Sequence, residues 1–160
     1  MLNHKRIKIG IFGLGYVGLP LAVEFGKKFK VIGYDLNKNR VRNLKLKIDE
    51  NKDVTKKKFE NAKNLNFTDN FKDLNDCNVY IITVPTPIYK TKIPDLSFIK
   101  KACKKIGQIL KKNDIVVLES TVYPGVTEEV CAPLLQKISN LKFNKEFYLG
   151  YSPERINPND

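Results

Sequence analysis

Three glycines near the start of the chain have the spacing of a phosphate-binding loop. Gly13, Gly15 and Gly18 match the pattern G-x-G-x-x-G between a β-branched segment and a helical pattern. In such a loop the first glycine allows a tight turn, the second lets a pyrophosphate approach the backbone, and the third lets helix and strand pack closely. Free N–H groups and the helix dipole then face the diphosphate. The spacing therefore predicts dinucleotide binding, and a purely structural turn is the alternative.

A carboxylate follows the loop at the distance that dinucleotide binding requires. Asp35 ends the second predicted strand, about twenty residues after the glycines, where an acid accepts hydrogen bonds from ribose hydroxyls. Because a negative charge repels a 2′-phosphate, Asp35 favours NAD over NADP. Lys38 and Arg40 are nearby cations that could tolerate that phosphate. The alternative for Asp35 is that it only caps a turn.

Small polar residues follow two further predicted strands. The segment 83–87 reads Thr-Val-Pro-Thr-Pro, and Thr86 can present its hydroxyl to a ligand. A rigid strand exit is the commoner meaning of such a segment. The segment 119–121 reads Glu-Ser-Thr and follows the next buried strand. Hydroxyls at that end of a strand can contact a ligand, and the alternative is ordinary turn chemistry with helix capping by Thr127.

The remaining reactive residue types exclude several chemistries. The single histidine is His4, and the three cysteines, Cys77, Cys103 and Cys131, lie far apart. They form no zinc-binding spacing and no disulfide framework, and no Ser-His-Asp arrangement is expected. Each cysteine is expected to fill apolar space in or near a helix. Glu154 follows the last predicted strand, where it is either a general base or a surface glutamate.

The elements that must position these residues alternate along the chain. Strand patterns cover 8–12, 31–34, 65–68, 79–84, 115–118 and 148–151, and helical patterns cover 17–28, 37–46, 96–110 and 127–138. A polar, lysine-rich excursion lies between 47 and 64, partly helical after Thr55. Near-continuous apolar strands separated by helices are typical of parallel sheets. We therefore predict an α/β fold, Rossmann-like and doubly wound, with a mostly parallel sheet of about six strands and helices on both faces.

The composition fits one domain with an apolar core. The chain has 160 residues, of which 42% are hydrophobic. No apolar run approaches the ~18 residues that span a bilayer. The start lacks a secretory signal, so we expect a soluble, cytoplasmic protein without membrane partners.

The charge balance leaves one distant alternative open. The 29 basic and 17 acidic residues give a net charge of +12, which fits an anionic partner or a solvated lysine-rich surface. A basic nucleic-acid-binding module would need a clustered basic face and a reading helix or stacking aromatics. Neither is evident in the sequence, so no nucleic-acid partner is expected.

Four motifs together resemble the amino-terminal, NAD-binding domain of the nucleotide-sugar 6-dehydrogenases, the UDP-glucose/GDP-mannose dehydrogenase family. They are 13–20 (Gly-Leu-Gly-Tyr-Val-Gly-Leu-Pro), 86–87 (Thr-Pro), 119–122 (Glu-Ser-Thr-Val) and 151–155 (Tyr-Ser-Pro-Glu-Arg). The resemblance implies an NAD-dependent enzyme that oxidises the C6 alcohol of a UDP-sugar to a carboxylate in two hydride transfers. The family forms a thiohemiacetal and then a thioester on a cysteine. Another NAD-dependent Rossmann dehydrogenase is the nearer alternative.

The resemblance also implies a substrate class. The stretch 153–158 (Pro-Glu-Arg-Ile-Asn-Pro) is more similar to members acting on UDP-N-acetylhexosamines than to UDP-glucose dehydrogenases. The products of such enzymes feed the synthesis of capsule and other surface polysaccharides.

The resemblance assigns a role to each matching residue. It implies that Asp35 and Arg40 hold the adenosine ribose and that Ser120 lies near the nicotinamide. Thr121 matches the hydroxyl that orients water near the reacting carbon, and Glu154 matches a carboxylate of thioester hydrolysis. The full set of expected cofactor-binding residues is Gly13, Gly15, Tyr16, Val17, Gly18, Asp35, Arg40, Val84, Pro85, Thr86, Ser120 and Thr121.

The resemblance implies that residues 1–160 form only the NAD-binding domain of a longer enzyme. The family's catalytic cysteine and the long helix that supports dimerisation lie in later domains, and no cysteine of this chain matches the nucleophile. We therefore expect the 160 residues to bind NAD without catalysing the reaction, and the full-length protein to be a homodimer.

Overall fold

The sheet of this protein is entirely parallel. A computed structural model describes residues 7–88 and 93–153. The six strands are β1 (Lys8–Phe12), β2 (Lys30–Tyr34), β3 (Leu65–Thr68), β4 (Val79–Ile82), β5 (Ile115–Leu118) and β6 (Tyr148–Tyr151). They are arranged in the order β3-β2-β1-β4-β5-β6, and each strand runs parallel to its neighbours. The order reverses between β1 and β4, and that is where a doubly wound sheet opens a crevice.

Helices connect the strands across both faces of the sheet. In the described part of the chain they are α1 (Gly18–Gly26), α2 (Lys38–Lys45), α3 (Lys56–Asn61), α4 (Ser97–Ile109) and α5 (Ala132–Ser139). The predicted cap of α2 is confirmed, because the side chain of Asn37 accepts hydrogen bonds from the N–H groups of Asn39 and Arg40. Every helix among the described residues is too short or too polar to cross a bilayer.

Two apolar clusters hold the helices on the sheet. One contains Ile99 of α4 and Leu135 of α5, and the other contains Leu19 of α1 and Phe59 of α3. The strands contribute to both clusters, because successive side chains of a strand point to opposite faces. In β4, Tyr80 and Ile82 belong to the first cluster and Ile81 to the second. The predicted doubly wound architecture is therefore confirmed.

The structure differs from the predicted elements in three places. β4 ends at Ile82 instead of Val84, and the hydroxyl of Thr83 donates to backbone carbonyl oxygens at the end of β1. A 3₁₀ turn at Phe71–Leu74 was not predicted, and the side chain of Asn70 caps it by accepting from the N–H of Lys72. The predicted helix 127–138 begins as a π-helical turn, Thr127–Cys131, followed by α5. Pro133 lacks an N–H group, so it cannot donate an α-helical bond at this junction.

Candidate functional site

A cavity of about 530 Å³ lies at the carboxyl ends of β1, β2, β4 and β5. Five separate segments contribute to it: the glycine loop (residues 13–18), the end of β2, the exit after β4, one face of α4 and the exit after β5. The predicted site residues that line the cavity are Gly13, Gly15, Tyr16, Val17, Asp35, Val84, Pro85, Thr86, Ser120 and Thr121. Gly18 and Arg40 lie behind this lining, and Glu154 falls outside the described residues.

The glycines of the loop serve two different purposes. Gly13 has a φ of 97°, and a Cβ there would lie 2.8 Å from the carbonyl oxygen of Thr83. A Cβ on Gly18 would collide with the carbonyl oxygen of Gly13 and with Oγ1 of Thr83. At Gly15, in contrast, no atom lies within 4 Å of the position that a Cβ would take. Gly13 and Gly18 are thus required by packing, whereas Gly15 keeps space open above the loop.

Backbone donors face this open space. The N–H groups of Gly15, Tyr16 and Val17 make no hydrogen bond to other described residues. They precede α1, whose first turn contains no acidic residue. Unpaired N–H groups and the positive end of the helix dipole together favour an anion. A diphosphate fits this donor set and the space left by Gly15.

Asp35 is held in place by the backbone around it. Its Oδ2 atom accepts the N–H of Leu14 at 2.8 Å, and its Oδ1 atom accepts the N–H of Asn37 at 2.9 Å. Each carboxylate oxygen retains a second lone pair, so Asp35 can still accept hydrogen bonds from ribose hydroxyls. The two alternatives for Asp35, a ligand-binding acid and a turn cap, are therefore compatible.

Arg40 is buried beneath the glycine loop. Its Nε atom donates to the carbonyl oxygen of Leu14 at 3.0 Å, and its Nη1 atom lies 2.7 Å from Oδ1 of Asp49. Only 9% of the Arg40 side chain and 1% of the Asp49 side chain are exposed. The Nη2 atom has no hydrogen-bond partner among the described residues. The structure thus gives Arg40 a role in supporting the loop, and its contact with a ribose stays a prediction.

Hydroxyl groups link the exits of β4 and β5. Thr86 Oγ1 donates to the carbonyl oxygen of Thr121 at 2.9 Å, and Ser120 Oγ donates to that of Val84 at 2.7 Å. Ser120 is buried, Thr86 is half-buried and Thr121 is exposed, and all three line the cavity. Each hydroxyl oxygen keeps acceptor capacity for a ligand. The strand exits are therefore joined to each other before any ligand binds.

Sequence reasoning missed the contribution of Thr83. Its Oγ1 atom lies 2.8 Å from the carbonyl oxygen of Gly13 and 3.0 Å from that of Phe12. Thr83 thereby joins the exit of β4 to the glycine loop. Its position as a hydroxyl residue near the end of the apolar predicted strand 79–84 was a usable signal.

The wall of the cavity formed by α4 was also missed. Phe98, Lys101 and Lys105 lie on one face of this helix and line the cavity. The ammonium group of Lys105 lies 4.9 Å from the ring centre of Phe71 and 5.7 Å from that of Tyr34, within cation–π range. The spacing of three and four residues in the sequence indicates that these side chains share a helix face. It does not indicate that this face is directed toward β2.

The cysteines of the described region are unsuited to nucleophilic chemistry. Cys77, Cys103 and Cys131 are all buried in the apolar cluster beside α4, which confirms the expectation that they fill apolar space. Burial raises the pKa of the Cys77 thiol to about 12. A hydrogen bond to Cys131, together with burial, raises the pKa of Cys103. Nor do the described residues contain a group of three side chains that could hold a metal ion.

Comparisons with known proteins agree with this geometry. UDP-N-acetyl-D-glucosamine 6-dehydrogenase of Pseudomonas aeruginosa is 56% identical over 156 residues, which cover 98% of this chain and 37% of the relative. Protein CapL of Staphylococcus aureus is 51% identical over 152 residues, covering 95% of this chain and 36% of CapL. The chain thus spans little more than a third of the length of these relatives.

A solved structure and a family pattern extend the agreement. UDP-D-ManNAc dehydrogenase from Pyrococcus horikoshii superposes with a TM-score of 0.85 at 33% identity, over 95% of this chain and 37% of that structure. The pattern of the UDP-glucose/GDP-mannose dehydrogenase family, NAD binding domain, matches residues 7–160. The chain therefore belongs to the UDP-glucose/GDP-mannose dehydrogenase family, of which it forms the NAD-binding domain.

Proposed function

We propose that this chain is the NAD-binding part of a UDP-sugar 6-dehydrogenase that oxidises the C6 alcohol of a UDP-N-acetylhexosamine to a carboxylate. One observation carries the cofactor half of the proposal: unpaired N–H groups at Gly15, Tyr16 and Val17 face the space that Gly15 leaves open. The substrate half is supported by the relative from Pseudomonas aeruginosa, which is named for UDP-N-acetyl-D-glucosamine.

The residues of this chain hold the cofactor at three points. The loop N–H groups bind the diphosphate, and Asp35 accepts hydrogen bonds from the adenosine ribose while excluding a 2′-phosphate. Val84, Pro85 and Thr86 line the cofactor beyond the diphosphate. When bound, NAD accepts the hydride that leaves the C6 carbon of the sugar. We assign Arg40 to the ribose as well, through Nη2, on the family resemblance.

The exit of β5 is assigned to the reacting end of the cavity. Ser120 fixes the path of the exit through its bond to Val84, and the exposed Thr121 is free to orient a water molecule near the reacting carbon. Glu154 is proposed to move protons during thioester hydrolysis. These roles follow from the family resemblance and from the position of the β5 exit at the cavity.

The nucleophilic cysteine is proposed to belong to a part of the enzyme outside these 160 residues. The burial of all three cysteines in an apolar cluster supports this assignment, since structural thiols buried in this way are unreactive. The chain by itself is therefore proposed to bind NAD and to leave UDP-sugars unoxidised.

The wider setting is proposed on the resemblance alone. We assign the full-length protein to the cytoplasm and to a homodimer, with NAD and a UDP-sugar as its ligands and no nucleic-acid or membrane partner. Its product is assigned to surface polysaccharides such as capsule.

The proposal is tested by titrating NAD into the purified chain by calorimetry and by following thermal unfolding. Saturable binding is expected. At ~100 times the dissociation constant, NAD adds about 2.7 kcal/mol to the free energy of unfolding. For a domain of this size, that raises the melting temperature by roughly 5–10 °C. NADP should bind more weakly, and no NADH absorbance should develop with UDP-N-acetyl-D-glucosamine.

Two outcomes contradict the proposal separately. An unchanged melting temperature at millimolar NAD would disprove cofactor binding. Steady formation of NADH by the purified chain would show that the catalytic groups lie within it. Duplex DNA serves as the control ligand, because a basic surface binds it with a steep salt dependence and without regard to NAD.

A further inference from the structure

The peptide unit between Leu14 and Gly15 carries the Gly15 N–H, one of the three unpaired donors of the glycine loop. Rotating this unit changes ψ of Leu14 and φ of Gly15, and glycine tolerates either sign of φ. No side chain opposes the rotation at Gly15, since the space around its Cβ position is open. Rotation would turn the Leu14 carbonyl oxygen toward the cavity, where its partial negative charge would repel a diphosphate. The loop therefore needs an outside contact to fix this peptide.

Two charged side chains bind the backbone of Leu14, one at its N–H group and the other at its carbonyl oxygen. Asp35 accepts its N–H at 2.8 Å, and Arg40 Nε donates to its carbonyl oxygen at 3.0 Å. Arg40 does not line the cavity, so the carbonyl that it binds is directed into the protein. The bond from Arg40 therefore keeps the carbonyl away from the space above Gly15.

Arg40 is itself held by a carboxylate outside the cavity. Oδ1 of Asp49 lies 2.7 Å from Arg40 Nη1, and the Asp49 side chain is 1% exposed. Asp49 also accepts the N–H of Val54 at 3.0 Å through Oδ2 and the N–H of Asn51 at 3.2 Å through Oδ1. A carboxylate with these bonds has little freedom to move. Removing its charge would leave Arg40 buried without a counter-charge, which strongly favours rearrangement of the guanidinium.

We infer that Asp49 is a positioning residue for cofactor binding: through Arg40 it fixes the Leu14 carbonyl and so keeps the loop N–H groups directed at the diphosphate. The inference rests on the proposed function, because it concerns affinity for NAD. Asp49, Asn51 and Val54 are all absent from the cavity lining, so the effect is indirect. Asp49, in the turn between α2 and α3, thereby affects the conformation of the glycine loop without lining the cavity itself.

The test compares Asp49→Asn with Asp53→Asn, which makes the same chemical change at an exposed position of the same turn. Calorimetric titration is done well below the melting temperature of each variant. We expect the NAD dissociation constant of Asp49→Asn to rise about tenfold or more, as for a lost hydrogen bond to a charged group. Binding of adenosine, which has no diphosphate, should weaken by a smaller factor than NAD binding when followed by NMR. Asp53→Asn should match the parent for both ligands.

A double variant shows whether Asp49 acts through Arg40. If it does, Arg40→Lys with Asp49→Asn binds NAD as weakly as Arg40→Lys alone, because contacting residues are not additive. Lysine keeps the positive charge, but it has no counterpart of the Nε atom through which Arg40 binds the Leu14 carbonyl. Arg40→Lys alone also tests the inference should Asp49→Asn fail to fold, since NAD affinity should again fall by a larger factor than adenosine affinity.

Each other result is decisive. Parent-like NAD binding by Asp49→Asn would overturn the inference, and so would equal losses for NAD and adenosine, which indicate a purely structural role. Additive losses in the double variant would show that Asp49 acts without Arg40. A parent chain that fails to bind NAD would instead refute the proposed function itself.

Discussion

The two walls of the cavity are built by opposite means. On the side of the glycine loop, the groups offered to a ligand are backbone N–H groups, and the side chains that matter lie behind them, buried and charged, as Arg40 and Asp49 do. On the side of the strand exits, the groups offered are the hydroxyls of the half-buried Thr86 and the exposed Thr121. The first wall is fixed by packing and by hydrogen bonds to charged side chains, whereas the second is fixed by hydrogen bonds between the exits of neighbouring strands.

This difference separates two tasks. A diphosphate carries the same charge and shape in every NAD molecule, so a rigid set of N–H groups suits it. In the proposed function, the reacting end accommodates a sugar and a water molecule in more than one state, and side-chain hydroxyls can change partners. Substitutions of the buried side chains behind the glycine loop should therefore alter both the stability of the chain and its affinity for NAD. Substitutions at the strand exits should alter little of either.

The largest expected effect separates two glycines of one loop. Gly18→Ala places a Cβ against the Gly13 carbonyl and Thr83, and should lower the free energy of unfolding by about 1–3 kcal/mol or more. Gly15→Ala meets open space and should change stability by less than about 0.5 kcal/mol. It should nevertheless weaken NAD binding, since its Cβ occupies the room left for the diphosphate. Urea unfolding and calorimetry measure the two quantities.

Two outcomes for these glycines would contradict the description of the glycine loop. If Gly18→Ala is as stable as the parent, the loop is less tightly packed than the structure indicates. If Gly15→Ala binds NAD normally, the open space above the loop is not where the diphosphate lies.

An intermediate effect is expected for Asp35→Ala. The change removes a charged acceptor of ribose hydroxyls, a bond worth roughly 1.5–3 kcal/mol, so NAD should bind about tenfold more weakly or worse. NADP binding should change little or improve, because the charge that repels its 2′-phosphate is gone. The ratio of the two dissociation constants, measured by titration, isolates this effect from the loss of the bonds to Leu14 and Asn37. An unchanged ratio would show that Asp35 does not select the cofactor.

The smallest effect is expected for Thr86→Val, on the second wall. Valine keeps the shape of threonine and removes the bond to the Thr121 carbonyl. Because that bond is exposed to water, the loss of stability should be at most about 0.5–1 kcal/mol. NAD affinity should stay within about threefold of the parent. A loss as large as that of Asp35→Ala, seen in the same titration, would mean that the hydroxyl binds the cofactor directly.

Local patterns were sufficient to predict the first wall and the outline of the fold. The glycine spacing, the position of Asp35 and the buried strands depend on residues close together in the chain. The polar residues after β4 and β5 could be placed in one site because parallel strands end at the same edge of a sheet.

What the sequence could not predict depends on tertiary packing. Arg40 was predicted as a ligand-binding cation, but its burial depends on Asp49, whose position is set by a turn within a polar segment that showed no periodicity. The face of α4 that carries Lys101 and Lys105 was recognisable, yet only the packed structure brings Lys105 to Tyr34 and Phe71.

The central pairing of β1 with β4 has a consequence for how the chain folds. Lys8 donates to Asn78, and Thr83 reaches back to Gly13, in each case across a separation of 70 residues. Closing so long a loop loses chain entropy before any contact compensates for it, and non-local pairing of this kind slows folding. The cavity exists only once these strands have paired. A molecule that binds there therefore recognises chains that have completed folding, and it slows their unfolding in proportion to its occupancy.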